Sequence, residues 1–353
     1  MRIGLVAGPW IPVPPQTYGG IERVVDLLAR GFAGAGHEVV LAASSDSRCP
    51  VPRVPGMRTS DPTSLGFTIS ELSHLIRAYE GLGEVDIIHD HTLAGPLYRY
   101  GPPGVPVVTT IHGPLTSSAK DIYRAIGRTT SIIAISRNQA SQASGIPVRG
   151  VIHHGIDLST VPVGTGRGGY VCFVGRMCPD KGVLEAIRIA RQAGVPLRIA
   201  AKMREPEEIQ YFEEVIKPIL GPNEDFTGEV DDAGKYHLMG EALAFLNPIQ
   251  WSEPFGLVMI EALSTGTPVL GTPLGAAPEI VAHGLTGYLA SADDLAAMIP
   301  AAAGLSRAQC RARVEQQFSA ERMVADHLQL FADLIEEQCE SGLPDSVALN
   351  QNL

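Results

Sequence analysis

The stretch Ser252-Glu253-Pro254-Phe255-Gly256-Leu257-Val258-Met259-Ile260-Glu261-Ala262 sets two carboxylates eight residues apart across a turn and an apolar helix. Upstream, residues 242–247 read as a buried strand. Pro254 and Gly256 break the chain, residues 257–263 run helically, Gly266 stands at the helix end, and residues 267–271 read as a second strand. This is one βαβ unit. Its first loop puts Glu253 at a helix N-terminus, where unpaired backbone N–H groups and the helix dipole form an anion site. Glu261 lies about a turn and a half deeper, between Ile260 and Ala262. A carboxylate there must be paired, hydrogen-bonded or neutralised, since burying it alone is costly. A diol could satisfy it. By composition alone, Glu253 is a solvated loop residue and Glu261 faces a partner arginine.

The chain has 353 residues, enough for two domains that each bury a core. Charged residues make up 18% and hydrophobic ones 45%, which excludes a disordered chain. Net charge is −11, and most of it falls in the second half: up to Gly155 there are 13 Lys and Arg against 11 Asp and Glu. That balance argues against nucleic acid as a partner. No apolar run reaches the length of a membrane span, and Met1-Arg2 leads straight into a strand, not a signal peptide, so a cytoplasmic protein is expected. The five cysteines show neither zinc spacing nor a disulfide framework.

Strands are expected at 3–7, 38–43, 85–89, 105–111, 131–136 and 149–153, with helices at 21–32, 70–80 and 137–144 between them. That alternation predicts a parallel, helix-covered sheet whose ligands sit at the carboxyl ends of the strands. The long loop 8–20 carries Trp10, Gln16 and Tyr18 and enters a helix through Gly19-Gly20, where backbone can approach a phosphate or sugar, or simply turn tightly. His112 ends a strand. In His89-Asp90-His91 the two imidazoles share a strand face; no third metal ligand has matching spacing, and the pair reads as a polar lining for an acceptor.

In the second half, Arg176 and Lys181 lie between a strand (170–174) and a helix start (182–192), and both cations face a strand-end crevice that suits a diphosphate. A solvated loop pair is the other reading. Further on come a strand at 197–201, a helix at 207–219, a strand at 225–227, Gly228-Glu229-Val230, and helices after Gly275. Gly164-Thr165-Gly166-Arg167-Gly168-Gly169 superficially imitates a dinucleotide fingerprint but precedes a strand, so it reads as a linker.

Taken together, the E-x7-E of Glu253 and Glu261 and the Gly175-Arg176-x4-Lys181 stretch resemble retaining glycosyltransferase family 4, whose members have the GT-B fold. Gly19-Gly20 and Gly275-Ala276-Ala277-Pro278-Glu279-Ile280 agree, although Ala276 departs from the commoner second glycine. His153-His154-Gly155-Ile156-Asp157 resembles the family's interdomain stretch, with His154 in place of asparagine.

The resemblance implies two Rossmann-like doubly wound domains facing a cleft. Residues 1–160 would form the acceptor side, 161–319 the nucleotide-sugar side, 320–341 a helix returning to the first domain, and 342–353 a frayed tail. It implies a hexosyl transfer from a UDP- or GDP-type sugar to a carbohydrate or small-molecule acceptor, with retained configuration, no cofactor beyond the donor and no metal. Glu253, His112, Arg176 and Lys181 would be catalytic. Gly19, Gly20, Val230, Phe255, Gly256, Leu257, Val258 and Glu261 would bind the donor, with Glu253 and His112 at its sugar, Glu261 at the ribose and Val230 near the base. Trp10, Gln16, Tyr18, His91 and Lys120 are acceptor candidates. Two rivals remain. A nicotinamide oxidoreductase needs GxGxxG directly after a strand, which is lacking here. A non-catalytic sugar-nucleotide-binding protein would carry the same binding residues.

Overall fold

The computed structural model describes residues 1–16 and 19–341, with side chains through Glu340. Tyr18 and the expected tail 342–353 lie outside the described residues. By its contacts the chain forms two units, one of residues 1–135, 140–152 and 323 onward, the other of residues 136–139 and 153–322.

The first unit is built on six parallel strands: β1 (Arg2–Val6), β2 (Glu38–Ala42), β3 (Ile87–Asp90), β4 (Val107–Ile111), β5 (Ser131–Ala134) and β6 (Val148–Val151). Their order is β2-β1-β3-β4-β5-β6. All four residues of β3 are buried, as expected of a strand with helices on both faces. The helix Gly20–Gly34 contributes Val24, Leu28 and Phe32 to the core, and Thr68–Gly81 contributes Leu75 and Ala78. From Met323 on, the helix Ala320–Ser341 belongs to this unit, where Phe331 is buried with its ring 5.5 Å from that of Phe32.

The second unit repeats the plan with β7 (Val171–Arg176), β8 (Leu197–Lys202), β9 (Glu224–Gly228), β10 (Phe245–Asn247), β11 (Val269–Gly271) and β12 (Gly287–Leu289), in the order β12-β11-β10-β7-β8-β9. Phe173, Ile187, Ile199, Leu246, Leu270 and Leu295 share one buried cluster.

Three local features depart from the sequence expectations. The helix expected over 207–219 keeps α geometry only over Pro206–Tyr211; Phe212–Ile216 is a π turn and Lys217–Ile219 a 3-10 turn, because Pro218 has no N–H for the α ladder. Beyond Gly275, where only helices were expected, β12 pairs with β11. The glycine-rich stretch is no loose linker: the amides of Gly164, Gly166 and Gly168 donate to carbonyls of Thr265, Gly240 and Glu241 at 2.8–3.0 Å. Gly164 lies so flat there that a Cβ would come within 2.1 Å of the Gly240 oxygen.

Among the described residues no helix is long and apolar enough to cross a membrane.

In each sheet the chain leaves its first strand in both directions, so a crevice opens at the carboxyl ends of β1 and β3 and of β7 and β10. In the second unit the loops after β7 and β10 press together. The Gln250 amide donates to the Asp180 carbonyl at 2.8 Å. Gly182, at φ 78°, approaches Pro248 so closely that a Cβ would stand 2.0 Å from its carbonyl oxygen. Gly194, at φ 67°, has open space around the same position. Gly194→Ala should therefore cost about 1 kcal/mol, for conformation alone. Gly182→Ala should cost at least about 2 kcal/mol more, because the two loops must separate. Urea denaturation of both variants checks this; equal midpoints would contradict the close approach.

Candidate functional site

The loop after β10 runs from Pro248 to Gly256, which adopts a left-handed conformation (φ 98°) and opens the helix Leu257–Ser264. A residue with Cβ is disfavoured there, so Gly256 fixes the direction in which the helix start points. Leu257 and Val258 lie half-buried in the first turn. Phe255 faces the other way: its ring is buried beside His153, His154 and Phe318, with centroids 5.2–6.0 Å apart. Phe255 thus anchors the loop, and only its backbone is left for a ligand.

Glu253 is held from several sides. Its Oε2 accepts a hydrogen bond from Trp251 Nε1 at 3.0 Å and forms an ion pair with Lys181 Nζ. Its backbone carbonyl accepts the Ala276 amide at 3.0 Å, and Gly275 is packed against it so tightly that a Cβ would meet its oxygen at 2.2 Å. Lys181 comes from the 3-10 turn Pro179–Lys181 after β7. The side chains of Lys181 and Glu253 are only 15% and 13% exposed, so water screens their attraction poorly. Gly175 lies in β7, and Arg176 is its last residue, with its side chain a third exposed and its guanidinium 3.9 Å from Glu208 Oε1. Lys202, its register partner on β8, also reaches Glu208, at 3.3 Å.

Glu261 is buried in the helix, and Lys235 Nζ stands 2.7 Å from its Oε1, so the partner is a lysine and not the arginine expected from composition. Lys235 also touches Asp232 at 3.0 Å. An ionised carboxylate has about four lone-pair sites, so one ammonium leaves acceptor capacity for hydroxyl groups. Val230 follows β9 half-buried, and the adjacent Glu229 is gripped by the Arg204 guanidinium at 2.8–3.0 Å.

In the first unit, Trp10 follows β1, with its ring packed over Gly8, while Gln16 is exposed. Gly19 precedes the helix Gly20–Gly34, and a Cβ on it would lie 2.6 Å from Pro15. The loop's own packing therefore requires that glycine. His91 follows β3, and its Nδ1 lies 2.9 Å from Nε2 of His112, which follows β4. His89 and His91 do share a face, with rings 4.0 Å apart, and His327 adds a ring 5.1 Å from His89. Burial, and then the neighbouring His327, push the His112 imidazole down to about 3. It is neutral at physiological pH. Lys120 sits in the first turn of the helix Ser117–Ile126.

Three contacts of the candidate site residues were not singled out in the sequence: Trp251 on Glu253, Lys235 on Glu261, and Glu208 between Arg176 and Lys202. Glu279 is a fourth. It accepts the amides of Arg137 and Asn138 at 2.9 and 2.8 Å and holds His153 Nε2 at 2.8 Å. Burial alone would raise its carboxyl, but these donors hold it below the ordinary range. Only Trp251 had a local signal, two residues before Glu253; the others are brought in by the sheet.

Comparisons with known proteins bear on the family and the fold. Residues 18–160 match the family model Glycosyltransferase Family 4, and residues 168–307 match Glycosyl transferases group 1. A glycogen synthase of Mycobacterium tuberculosis is 27% identical, covering 90% of this chain and 90% of its own. A phosphatidyl-myo-inositol mannosyltransferase of Mycolicibacterium smegmatis is 28% identical, covering 86% and 84%. Among solved structures, a glycosyltransferase involved in avilamycin A biosynthesis superposes with a TM-score of 0.71 at 26% identity, covering 95% of this chain and 98% of that one. Anabaena HepE in complex with UDP and glucose gives 0.73 at 19% identity, over 94% and 99%. With both halves matched, the chain belongs to glycosyltransferase family 4 and has the GT-B fold.

Proposed function

We propose that the protein is a retaining hexosyltransferase that takes a hexosyl group from a UDP- or GDP-type sugar and delivers it to a hydroxyl of a glycan, glycolipid precursor or natural product. The observation that carries this reading is the ion pair of Lys181 with Glu253 in the loops after β7 and β10, with Arg176 as the last residue of β7 and Glu261 one helix turn and a half further on. A neighbour of the same fold has been solved with UDP-glucose, which supports the donor class.

In the reaction, the bond from the sugar C1 to the diphosphate oxygen breaks, and its electron pair leaves with the diphosphate. The acceptor oxygen bonds to C1 on the same face, and its proton passes to the departing phosphate oxygen. Negative charge grows on the diphosphate and positive charge on the sugar ring. Arg176, Lys181 and the helix start at Gly256 stabilise the former, and Glu253 positions the sugar and favours the latter. Glu261 holds the ribose, and the neutral His112 offers the sugar a hydrogen-bonding group. Trp10, Gln16 and His91 line the acceptor side, and no cofactor besides the donor is needed.

Glu261→Gln should weaken binding of the nucleoside diphosphate by one to two decades, since a charge-assisted hydrogen bond is worth about 1.5–3 kcal/mol, and should slow the bound complex little. Glu253→Gln should lower turnover and leave diphosphate affinity nearly intact, because within the donor it is assigned to the sugar alone. Calorimetric titration of both variants with UDP, GDP and the full donor decides. If both lose diphosphate affinity alike, Glu253 belongs to the nucleotide and not the sugar.

Since protein cations supply the compensating charge, transfer should proceed unchanged in excess EDTA. Arg176→Ala or Lys181→Ala should lower turnover more than tenfold, or over about 1.4 kcal/mol. Arg176→Lys should rescue only in part, as an ammonium cannot grip two phosphate oxygens like a planar fork. Abolition by EDTA with restoration by a divalent ion, beside near-normal mutants, would overturn this.

A further inference from the structure

Trp251 is one of two tryptophans in the chain, and no part of the reaction just described uses it. Its indole nevertheless touches both members of the ion pair at the crevice. The edge donates Nε1–H to Glu253 Oε2 at 3.0 Å, and the ring lies under Lys181 Nζ, 5.2 Å from the centroid. Lys181 and Glu253 also contact each other directly. The three side chains form a closed triangle in which each one touches the other two.

The triangle matters because the proposed reaction asks its members to part. A diphosphate draws the Lys181 ammonium toward its oxygens, and Glu253 then loses the cation paired with it. A carboxylate so little exposed is costly to keep in place unless another donor stays with it. The indole N–H is such a donor: it is neutral, it has no attraction to phosphate that outweighs a carboxylate, and it sits on a loop held by the Gln250 amide and by Gly275 packing on Glu253.

We infer that Trp251 is a positioning residue for the transfer: its indole N–H holds Glu253 aimed at the donor sugar when Lys181 turns to the diphosphate, and its ring face sets where Lys181 waits before that. This rests on the reaction proposed above. It adds a residue outside the E-x7-E and Arg-x4-Lys stretches and gives it a separable task at each end of the ring.

Two substitutions separate the tasks. Trp251→Phe keeps an aromatic face under Lys181 and removes the N–H; it should lower kcat about ten- to hundredfold, the worth of a hydrogen bond to a charged group, with KM for the donor within twofold. Trp251→Leu removes the face as well and should further weaken affinity for UDP or GDP by a few-fold. In the Glu253→Gln background, Trp251→Phe should cost little more, since the bond it serves is already impaired. A merely structural tryptophan would give additive losses. Turnover is measured as hydrolysis of whichever of UDP-glucose, UDP-galactose and GDP-mannose the wild type accepts.

A second arm needs no donor. With the tryptophans 15N-labelled, the indole N–H signals are two, and Trp10→Phe identifies that of Trp251. Glu253→Gln should move that signal upfield, and saturating UDP or GDP should leave it near its downfield position in the wild type. A normal kcat for Trp251→Phe, strict additivity, or an indole signal indifferent to Glu253→Gln overturns the inference. If the wild type neither binds nor hydrolyses any of the three donors, the reaction itself is wrong, while the indole signal still decides whether Trp251 holds Glu253.

Discussion

The ion pair of Lys181 with Glu253 can exist only because two loops meet at the one place in the sheet where the chain turns both ways. β7 and β10 are neighbours in the sheet and far apart in the chain, and each ends in a loop that bends over the strand ends. Gly182 permits the contact by having no Cβ to strike Pro248, and Gly275 permits the opposite wall by having none to strike Glu253. Lys181 and Glu253 are thereby paired in the loops before a helix start, while Arg176, at the end of β7, faces Glu208. The cost of holding them out of water is offset by mutual pairing, and it prepares the site for a ligand that carries both negative phosphates and hydroxyl groups.

Charge is handled differently in the two units. In the second, Arg176, Lys181 and Lys202 are each matched by Glu208 or Glu253. Such pairing keeps buried cations tolerable until an anion competes for them. At the corresponding strand ends of the first unit stand imidazoles, His91 and His112, of which the latter is kept neutral by burial. Neutral groups that both donate and accept suit hydroxyls, and they neither attract nor repel a charged donor.

Much of this was legible from residue order. The alternation of apolar runs with helical segments indicated the strand order along the chain, and Arg176 closes β7 while Lys181 and Glu253 lie in the loops that follow β7 and β10. His89 and His91 share a face as period-two geometry requires. What was not legible depends on contacts between distant segments. Lys235 is no more conspicuous than any helical lysine until packing sets it 2.7 Å from Glu261. β12 is three residues long and half-buried, too short to show a period. The glycines from 164 to 169 look like flexible linker until Thr265, Gly240 and Glu241 are seen to accept their amides. The packing of the Phe255 ring beside His154 and Phe318 also depends on segments distant in the chain.

The central claim is that these groups transfer a hexosyl unit with its anomeric configuration kept, and the product's anomeric centre tests it most directly. The protein is incubated with a UDP- or GDP-hexose labelled with 13C at C1, and the newly formed glycoside or first-released sugar is followed by NMR. The account predicts a C1 signal with the one-bond C–H coupling of the donor's own anomer, appearing as the nucleoside diphosphate is released. A product of the opposite anomer, or tight binding of the donor with no turnover against any acceptor hydroxyl including water, would contradict it.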